Sequence, residues 1–183
     1  MKSDFITVKN TGKDVVIMEF KKAKKTENRL RIAISGAAGS GKTFSALQIA
    51  KGIGGKIAVI DTERGSASLY SDRFDFDVLD MEPPYSPEKY VAAIELAEKN
   101  GYNVIIIDSL THSWAGIGGI LDLHDAIQKS SKSGNGYTAW REVTPLQNKL
   151  IDTITSSNIH IIATMRSKME YVIENNGQRR KVR

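Results

Sequence analysis

Gly36-Ala37-Ala38-Gly39-Ser40-Gly41-Lys42-Thr43 decides how this chain is read. The stretch matches G-x-x-x-x-G-K-[ST] at every defined position, follows a predicted strand (Leu30-Arg31-Ile32-Ala33-Ile34) and opens a predicted helix over 42–52. Each residue type has a physical task there. Gly36, Gly39 and Gly41 let the backbone turn so that successive N–H groups point inward around a phosphate. The helix offers its positive dipole end and its unpaired N–H groups to the same anion. Lys42 can reach the β- and γ-phosphates, and the Thr43 hydroxyl is a hard oxygen ligand suited to Mg2+. Together with Phe44, the next residue, this segment is the expected nucleotide-binding stretch. A dinucleotide site is the competing reading, because Asp61 and Glu63 lie about 20 residues past the loop. The glycine spacing does not give G-x-G-x-x-G, however, and a Lys-Thr pair has no role in such a site. The loop therefore predicts a nucleoside triphosphate.

Outward from the loop, strand and helix patterns alternate. Lys56-Ile57-Ala58-Val59-Ile60-Asp61 is a second apolar strand and Asp77-Val78-Leu79-Asp80 a weaker third. Ser86-Pro87-Glu88 supplies an N-cap, a first-turn proline and an early acid, and the helix it starts runs through Val91, Ile94 and Ala97 to Asn100-Gly101. Val104 to Asp108 reads as a buried strand, and Ile117 to about Ile127 as a helix. Ser130 to Gly136 reads as a polar loop. Thr144-Pro145 starts or restarts a helix with Leu146, Leu150, Ile151 and Ile154 on one face. Ile159 to Thr164 is a last core strand. Strands separated by helical segments predict a three-layer α/β/α fold with a mainly parallel sheet. Strands lying between two helix layers are apolar runs, as these are.

The ends differ from this core. Residues 1–28 read as an appendage, with Val15-Val16-Ile17-Met18 as a short strand, and the core is expected over 29–183. Glu170-Tyr171-Val172-Ile173-Glu174, then Asn175-Asn176-Gly177, then a basic stretch, predicts a C-terminal β-hairpin. The chain stops inside that hairpin's second strand, so the core is expected to be truncated at its C-terminus.

The chain has 183 residues, 40% hydrophobic and 26% charged, close to the average of soluble globular proteins and unlike disordered or fibrous ones. Its longest aliphatic run, Val104-Ile105-Ile106-Ile107, is far short of the ~20 apolar residues of a membrane span, so no membrane is expected. The absence of cysteine excludes disulfides, thiolate zinc sites and a cysteine nucleophile, and fits a reducing cytoplasm. Residues 1–31 carry nine Lys/Arg against four Asp/Glu and residues 166–183 six against two, while the middle is acidic. Basic chain ends can form a nucleic-acid footprint, or simply be solvated.

Two acids stand where triphosphate chemistry needs them. Asp108 ends the strand Val104-Ile105-Ile106-Ile107, and ligands bind at that edge of an open α/β sheet. It can therefore reach the metal that Thr43 holds, although an Asp before Ser109 can also cap a helix. Glu63, in Asp61-Thr62-Glu63-Arg64-Gly65, could orient or deprotonate an attacking water. It could equally be a turn acid paired with Arg64.

The P-loop, Asp61-Thr62-Glu63-Arg64-Gly65, Ile107-Asp108-Ser109-Leu110-Thr111-His112-Ser113-Trp114 and Ile162-Ala163-Thr164-Met165-Arg166-Ser167-Lys168 resemble the RecA-like AAA-domain ATPases of bacteriophages and prophages, commonly described as phage nucleotide-binding proteins. The likeness runs from about Leu30 to the end. It implies a RecA-like P-loop NTPase in which Glu63 activates water and Thr164 and Arg166 sense the γ-phosphate. A homo-oligomer in the cytoplasm of a bacterial or phage-infected host cell is also expected. Some relatives of this core bind single-stranded DNA and assist strand annealing. Family members usually extend beyond Arg179-Arg180-Lys181.

Other signals are weaker. Trp114 and Trp140 could stack on bases, but near helix starts they fit core or interface positions better. His112 could lie near the γ-phosphate or cap a helix, and His124 and His160 read as structural. Arg64, Arg73 and Arg141 are candidate arginine fingers. A GTPase would carry N-K-x-D, whereas Asn148-Lys149-Leu150-Ile151-Asp152 has one residue too many. A small-molecule kinase would need an arginine-rich lid that 115–140 does not offer. The expectation is a Mg2+-dependent, ATP-hydrolysing protein, with catalytic Lys42 and Glu63 and metal ligands Thr43 and Asp108. Its expected partner is single-stranded DNA in phage recombination or replication. The alternative is an ATP-regulated DNA-binding or annealing scaffold with negligible turnover.

Overall fold

The computed structural model describes residues 6–9, 15–18, 22, 28–130, 136–167, 170–173 and 179–182. In chain order the elements are β1 (Ile6–Lys9), β2 (Val15–Met18), β3 (Arg31–Gly36), α1 (Lys42–Ile53), β4 (Ile57–Asp61), a 3-10 turn (Ala67–Tyr70), β5 (Asp77–Asp80), α2 (Pro87–Lys99), β6 (Val104–Asp108), α3 (Thr111–Ala115), α4 (Ile120–Ser130), α5 (Gly136–Ser156), β7 (His160–Arg166), β8 (Glu170–Ile173) and β9 (Arg179–Val182). Five strands form one parallel sheet in the order β3-β7-β6-β4-β5. β1 and β2 pair antiparallel as a separate two-stranded sheet, and so do β8 and β9.

The central strand explains the layers. Every residue of β6 is buried, because alternate side chains enter different cores. Val104 and Ile106 join Ala46, Leu47 and Ala50 of α1 on one face. Ile105 and Ile107 join Tyr90, Ile94 and Ala97 of α2 and Leu150 of α5 on the other. A strand covered on both sides has no polar face to present, which is why it reads as an unbroken β-branched run. The fold is a three-layer α/β/α sandwich. Among the described residues, no helix is long and apolar enough to cross a membrane.

Local readings were altered where packing outweighed propensity. α5 does not start at Thr144-Pro145; it begins at Gly136 and carries Pro145 in its interior. Proline removes one N–H from the ladder and crowds the preceding turn. Here Ala139 and Val143 before it and Leu150 after it are all buried, so tertiary contacts hold both halves in one helix. Thr144 Oγ1 also donates back to the Trp140 carbonyl at 2.6 Å. Ile151, expected on the apolar face, is exposed. α4 starts at Ile120, later than Ile117, because Gly118 takes φ +73° and a Cβ there would lie 2.3 Å from Pro84 Cβ. Ser86 stands at the N-cap of α2 with Pro87 at its first position, but its side chain makes no cap bond. β1 had no counterpart in the reading of residues 1–28. Of the expected loop from Ser130 to Gly136, Ser130 ends α4 and Gly136 starts α5, while 131–135, like the Asn175-Asn176-Gly177 turn, lie outside the described residues.

His160 ties the sheet's entry together: its Nδ1 accepts the Leu30 N–H at 3.0 Å. Burial lowers its pKa from the ordinary imidazole value, and the charges of Arg29 and Arg31 add to that. The unfolded chain therefore binds more protons than the folded one between the lowered value and about 6.5. Stability from this group is complete above that range and is lost as pH falls through the folded value. His112 is lowered in the same direction by burial. The thermal midpoint should be level at pH 7–8 and fall on acidification below about 6.5. His160→Gln should remove part of that slope, and an unchanged slope would refute the assignment.

Candidate nucleotide site

Gly36, Asp61, Asp108 and Arg166 are the last residues of β3, β4, β6 and β7. A parallel sheet sends all four to the same edge, so segments far apart in sequence converge there. The P-loop crosses from β3 to α1. Gly39 (φ +74°) and Gly41 (φ +82°) occupy the left-handed region, which glycine enters without a Cβ penalty. Gly41 caps α1 without a side chain, and the first turn holds no acid, so the N–H groups of that turn keep their positive end for an anion. Gly36 acts differently from the turn role expected of it: a Cβ there would approach Ser40 Oγ to 2.6 Å, so its function is close passage. Ser40 N–H donates to the Ala37 carbonyl at 3.3 Å. Lys42 Nζ donates to the same carbonyl at 2.8 Å, folding the cation back over the loop.

The loop faces a cavity of about 260 Å³ lined by Ala38, Gly39, Gly41, Lys42 and Thr43, and on its far side by Glu63, Asp108 and Arg166. Phe44 is not among the lining residues. It packs edge-on against Tyr70 and Phe74, with centroids 5.7 and 5.4 Å away, and Tyr70 takes the place at the cavity. Ser66, Leu69 and Tyr70, from the segment after Gly65, also line the cavity and escaped the sequence reading. The signal available was an aromatic a few residues beyond Glu63, with no periodicity to mark it.

Asp108 is 2% exposed and spends both carboxylate oxygens. Oδ2 accepts from Thr43 Oγ1 at 2.5 Å and Oδ1 from Thr164 Oγ1 at 2.5 Å. It caps no helix, since α3 begins at Thr111 with Leu110 at its N-cap. Thr164 is fully buried, and its hydroxyl faces Asp108, not the cavity. Strand order explains the contact: β7 runs between β3 and β6, so a β7 hydroxyl lies beside the acid of β6. The Asp108–Ser109 peptide is cis.

Asp61 organises the neighbouring turn. Its Oδ1 accepts the Glu63 N–H at 2.6 Å and its Oδ2 the Ala67 N–H at 2.9 Å. Burial raises its pKa; the bond from Ala67 opposes the rise, and the charges of Asp108 and Asp80 add to it. Glu63, mostly shielded, is ion-paired with the half-exposed Arg166. Its partner is thus not Arg64, which sits at φ 57°. Arg166 is the only arginine lining the cavity among the described residues. Arg73 lies beside Asp72 instead, and Arg141 is exposed on α5.

No histidine or tryptophan lines the cavity among the described residues. His112 does not cap α3; its Nδ1 lies 2.7 Å from Thr62 Oγ1. Trp114 and Trp140 stack on each other at 6.0 Å, both partly exposed, and His124 lies 4.4 Å from Trp140. Neither tryptophan lines the cavity.

Residues 28–183 match the family described as "AAA domain". No curated protein is significantly similar to the chain. Among solved structures, a KaiC-like protein from the hyperthermophilic archaeon Pyrococcus horikoshii is similar, with 13% identity and a TM-score of 0.44. The match covers 74% of this chain and 62% of that one, less than two thirds of its length.

Proposed function

The chain belongs to the AAA-domain family, and on that premise we propose that it binds ATP with Mg2+ and hydrolyses it by in-line attack of water. We propose further that it acts as a homo-oligomer on single-stranded DNA in phage recombination or replication. One observation carries the ATPase reading. A single cavity brings together a P-loop lysine, a hydroxyl–carboxylate pair, a second carboxylate and an arginine. That is the full set a phosphoryl-transfer site needs, because catalysis there is mostly positioning and charge neutralisation.

The donor set fits Mg2+. Thr43 Oγ1 and Asp108 Oδ2, both hard oxygens, meet 2.5 Å apart, and Mg2+ takes one or two such ligands with phosphate and water supplying the rest. Thr43 and Asp108 would hold the ion, which when bound neutralises charge on the β- and γ-phosphates. Lys42 leaves the Ala37 carbonyl for the phosphates. Glu63 orients the water and accepts its proton, while Arg166 meets the charge developing on the γ-phosphoryl. Both tasks require the Glu63–Arg166 pair to open, since a carboxylate engaged by a guanidinium is a poor base. Thr164, through Asp108, would report on the metal and not on the phosphate directly.

The closed ion pair also favours a second reading, a scaffold that binds ATP with negligible turnover. Support for DNA comes from the basic stretch 166–183 and from the resemblance to phage proteins. The test is steady-state ATP hydrolysis with Mg2+, with and without single-stranded DNA, beside an ATP-binding measurement. Turnover that rises with DNA is expected. Tight binding without turnover in either condition would replace the enzyme with the scaffold, and turnover indifferent to DNA would remove the DNA role.

A further inference from the structure

α3 spans only Thr111–Ala115, yet its first two residues reach both segments that carry the ion pair at the cavity. Thr111 Oγ1 accepts the Arg166 N–H at 2.8 Å. His112 Nδ1 lies 2.7 Å from the hydroxyl of Thr62, the residue just before Glu63. Thr62 is buried. Its N–H donates to the Asp108 carbonyl at 2.7 Å, and its Oγ1 accepts the Ser109 N–H at 2.8 Å. The imidazole joins two other neighbours of that hydroxyl, the Ser109 carbonyl at 3.3 Å and the buried Tyr90 hydroxyl. The ring itself is held. Tyr85 stacks on it with centroids 4.9 Å apart, and Gly116 leaves no room behind, since a Cβ there would come within 2.9 Å of Tyr85 Cδ2.

These contacts divide the work of fixing Glu63. Asp61 shapes the 62–67 segment from within, through the Glu63 and Ala67 N–H groups. The Thr62 hydroxyl, held by Ser109 and His112, ties the same segment to the end of β6, where Asp108 faces Thr43. The Thr62 N–H, which donates to the Asp108 carbonyl at 2.7 Å, anchors the segment at the same place.

We infer that His112 is a positioning residue for hydrolysis: by holding Thr62 it sets where the Glu63 carboxylate meets the attacking water. The inference rests on the ATPase reading above. His112 does not line the phosphate cavity, so it acts through Thr62 and not on the nucleotide. Misplacing a catalytic group by about 1 Å can cost around 100-fold in rate while leaving binding untouched.

The test compares His112→Phe, His112→Asn and Thr62→Val in the full chain. Phenylalanine keeps the stack on Tyr85 but removes the nitrogen, and asparagine places a polar atom near the position of Nδ1. His112→Phe should lower kcat about 10- to 100-fold with KM for ATP unchanged, and His112→Asn should recover most of the loss. Combining His112→Phe with Thr62→Val should be no worse than the poorer single variant, because both break one contact. Amide hydrogen exchange without nucleotide supplies a readout independent of turnover. Ser109 and residues 62–67 should exchange faster in His112→Phe, with the core strands unchanged. Wild-type kcat and wild-type exchange in His112→Phe would overturn the inference, as would losses that multiply in the double variant. A wild type that binds ATP without hydrolysing it would instead overturn the ATPase reading, and with it a role in hydrolysis. Exchange would then decide whether His112 holds the segment.

Discussion

Glu63→Gln is expected to keep ATP binding and to lower turnover by about 10²- to 10⁴-fold, the range a positioned general base contributes. Glutamine has nearly the same shape and can still orient a water through its carbonyl oxygen, but it cannot take the proton. The ion pair at the cavity adds a second expectation. Glu63 holds Arg166 in an ion pair, so ATP must compete with a carboxylate for the guanidinium. Neutralising that competitor frees Arg166 for the γ-phosphate, and Glu63→Gln should bind ATP at least as tightly as the wild type while ADP affinity stays level. Titration with both nucleotides and a single-turnover assay measure the two halves separately. Turnover at the wild-type rate would remove Glu63 from the chemistry, and a loss of ATP affinity would mean that the ion pair supports the site instead of competing for it.

Lys42→Ala should abolish tight ATP binding and leave the fold intact. Among the described residues, the Lys42 ammonium donates to one group, the loop carbonyl of Ala37, at 2.8 Å. Its removal therefore leaves no buried charge unpaired, and the thermal midpoint without nucleotide should not move. With ATP bound, the same ammonium would make charge-assisted contacts to two phosphates. At about 1.5–3 kcal/mol each, their loss corresponds to roughly two to four orders of magnitude in affinity. Calorimetric titration reads the affinity, and a melting curve without nucleotide checks the fold. A variant that binds ATP within a few-fold of wild type would mean that backbone N–H groups and the helix N-terminus carry the binding alone.

The phosphate loop was legible because its signal is local. Left-handed backbone at Gly39 and Gly41 and an acid-free first turn of α1 are properties of neighbouring residues. The parallel sheet was legible for a related reason: a run such as Val104 to Ile107 has no polar face, so both sides must be covered. Asp108 could be placed at a strand end because the apolar run stops there. The course of α5 through Pro145 and the start of α4 at Ile120 were not legible. Each depends on what packs against the segment, namely the faces that bury Ala139, Val143 and Leu150, and Pro84 beside Gly118.

By itself, then, the sequence determined a glycine-rich loop of P-loop pattern on a three-layer α/β framework and named the acids at its edge. Only the tertiary structure decided their partners. Glu63 meets Arg166 on β7 instead of the adjacent Arg64, Thr164 turns to Asp108, and His112 turns to Thr62. The reason is strand order. Placing β7 between β3 and β6, and β4 on the other side of β6, is a choice of the whole sheet, and it sets which side chains become neighbours across long stretches of chain, as between Thr164 and Asp108 with 56 positions separating them. Local spacing encodes backbone conformation and the need for burial, but it carries no information about which distant strand will lie alongside.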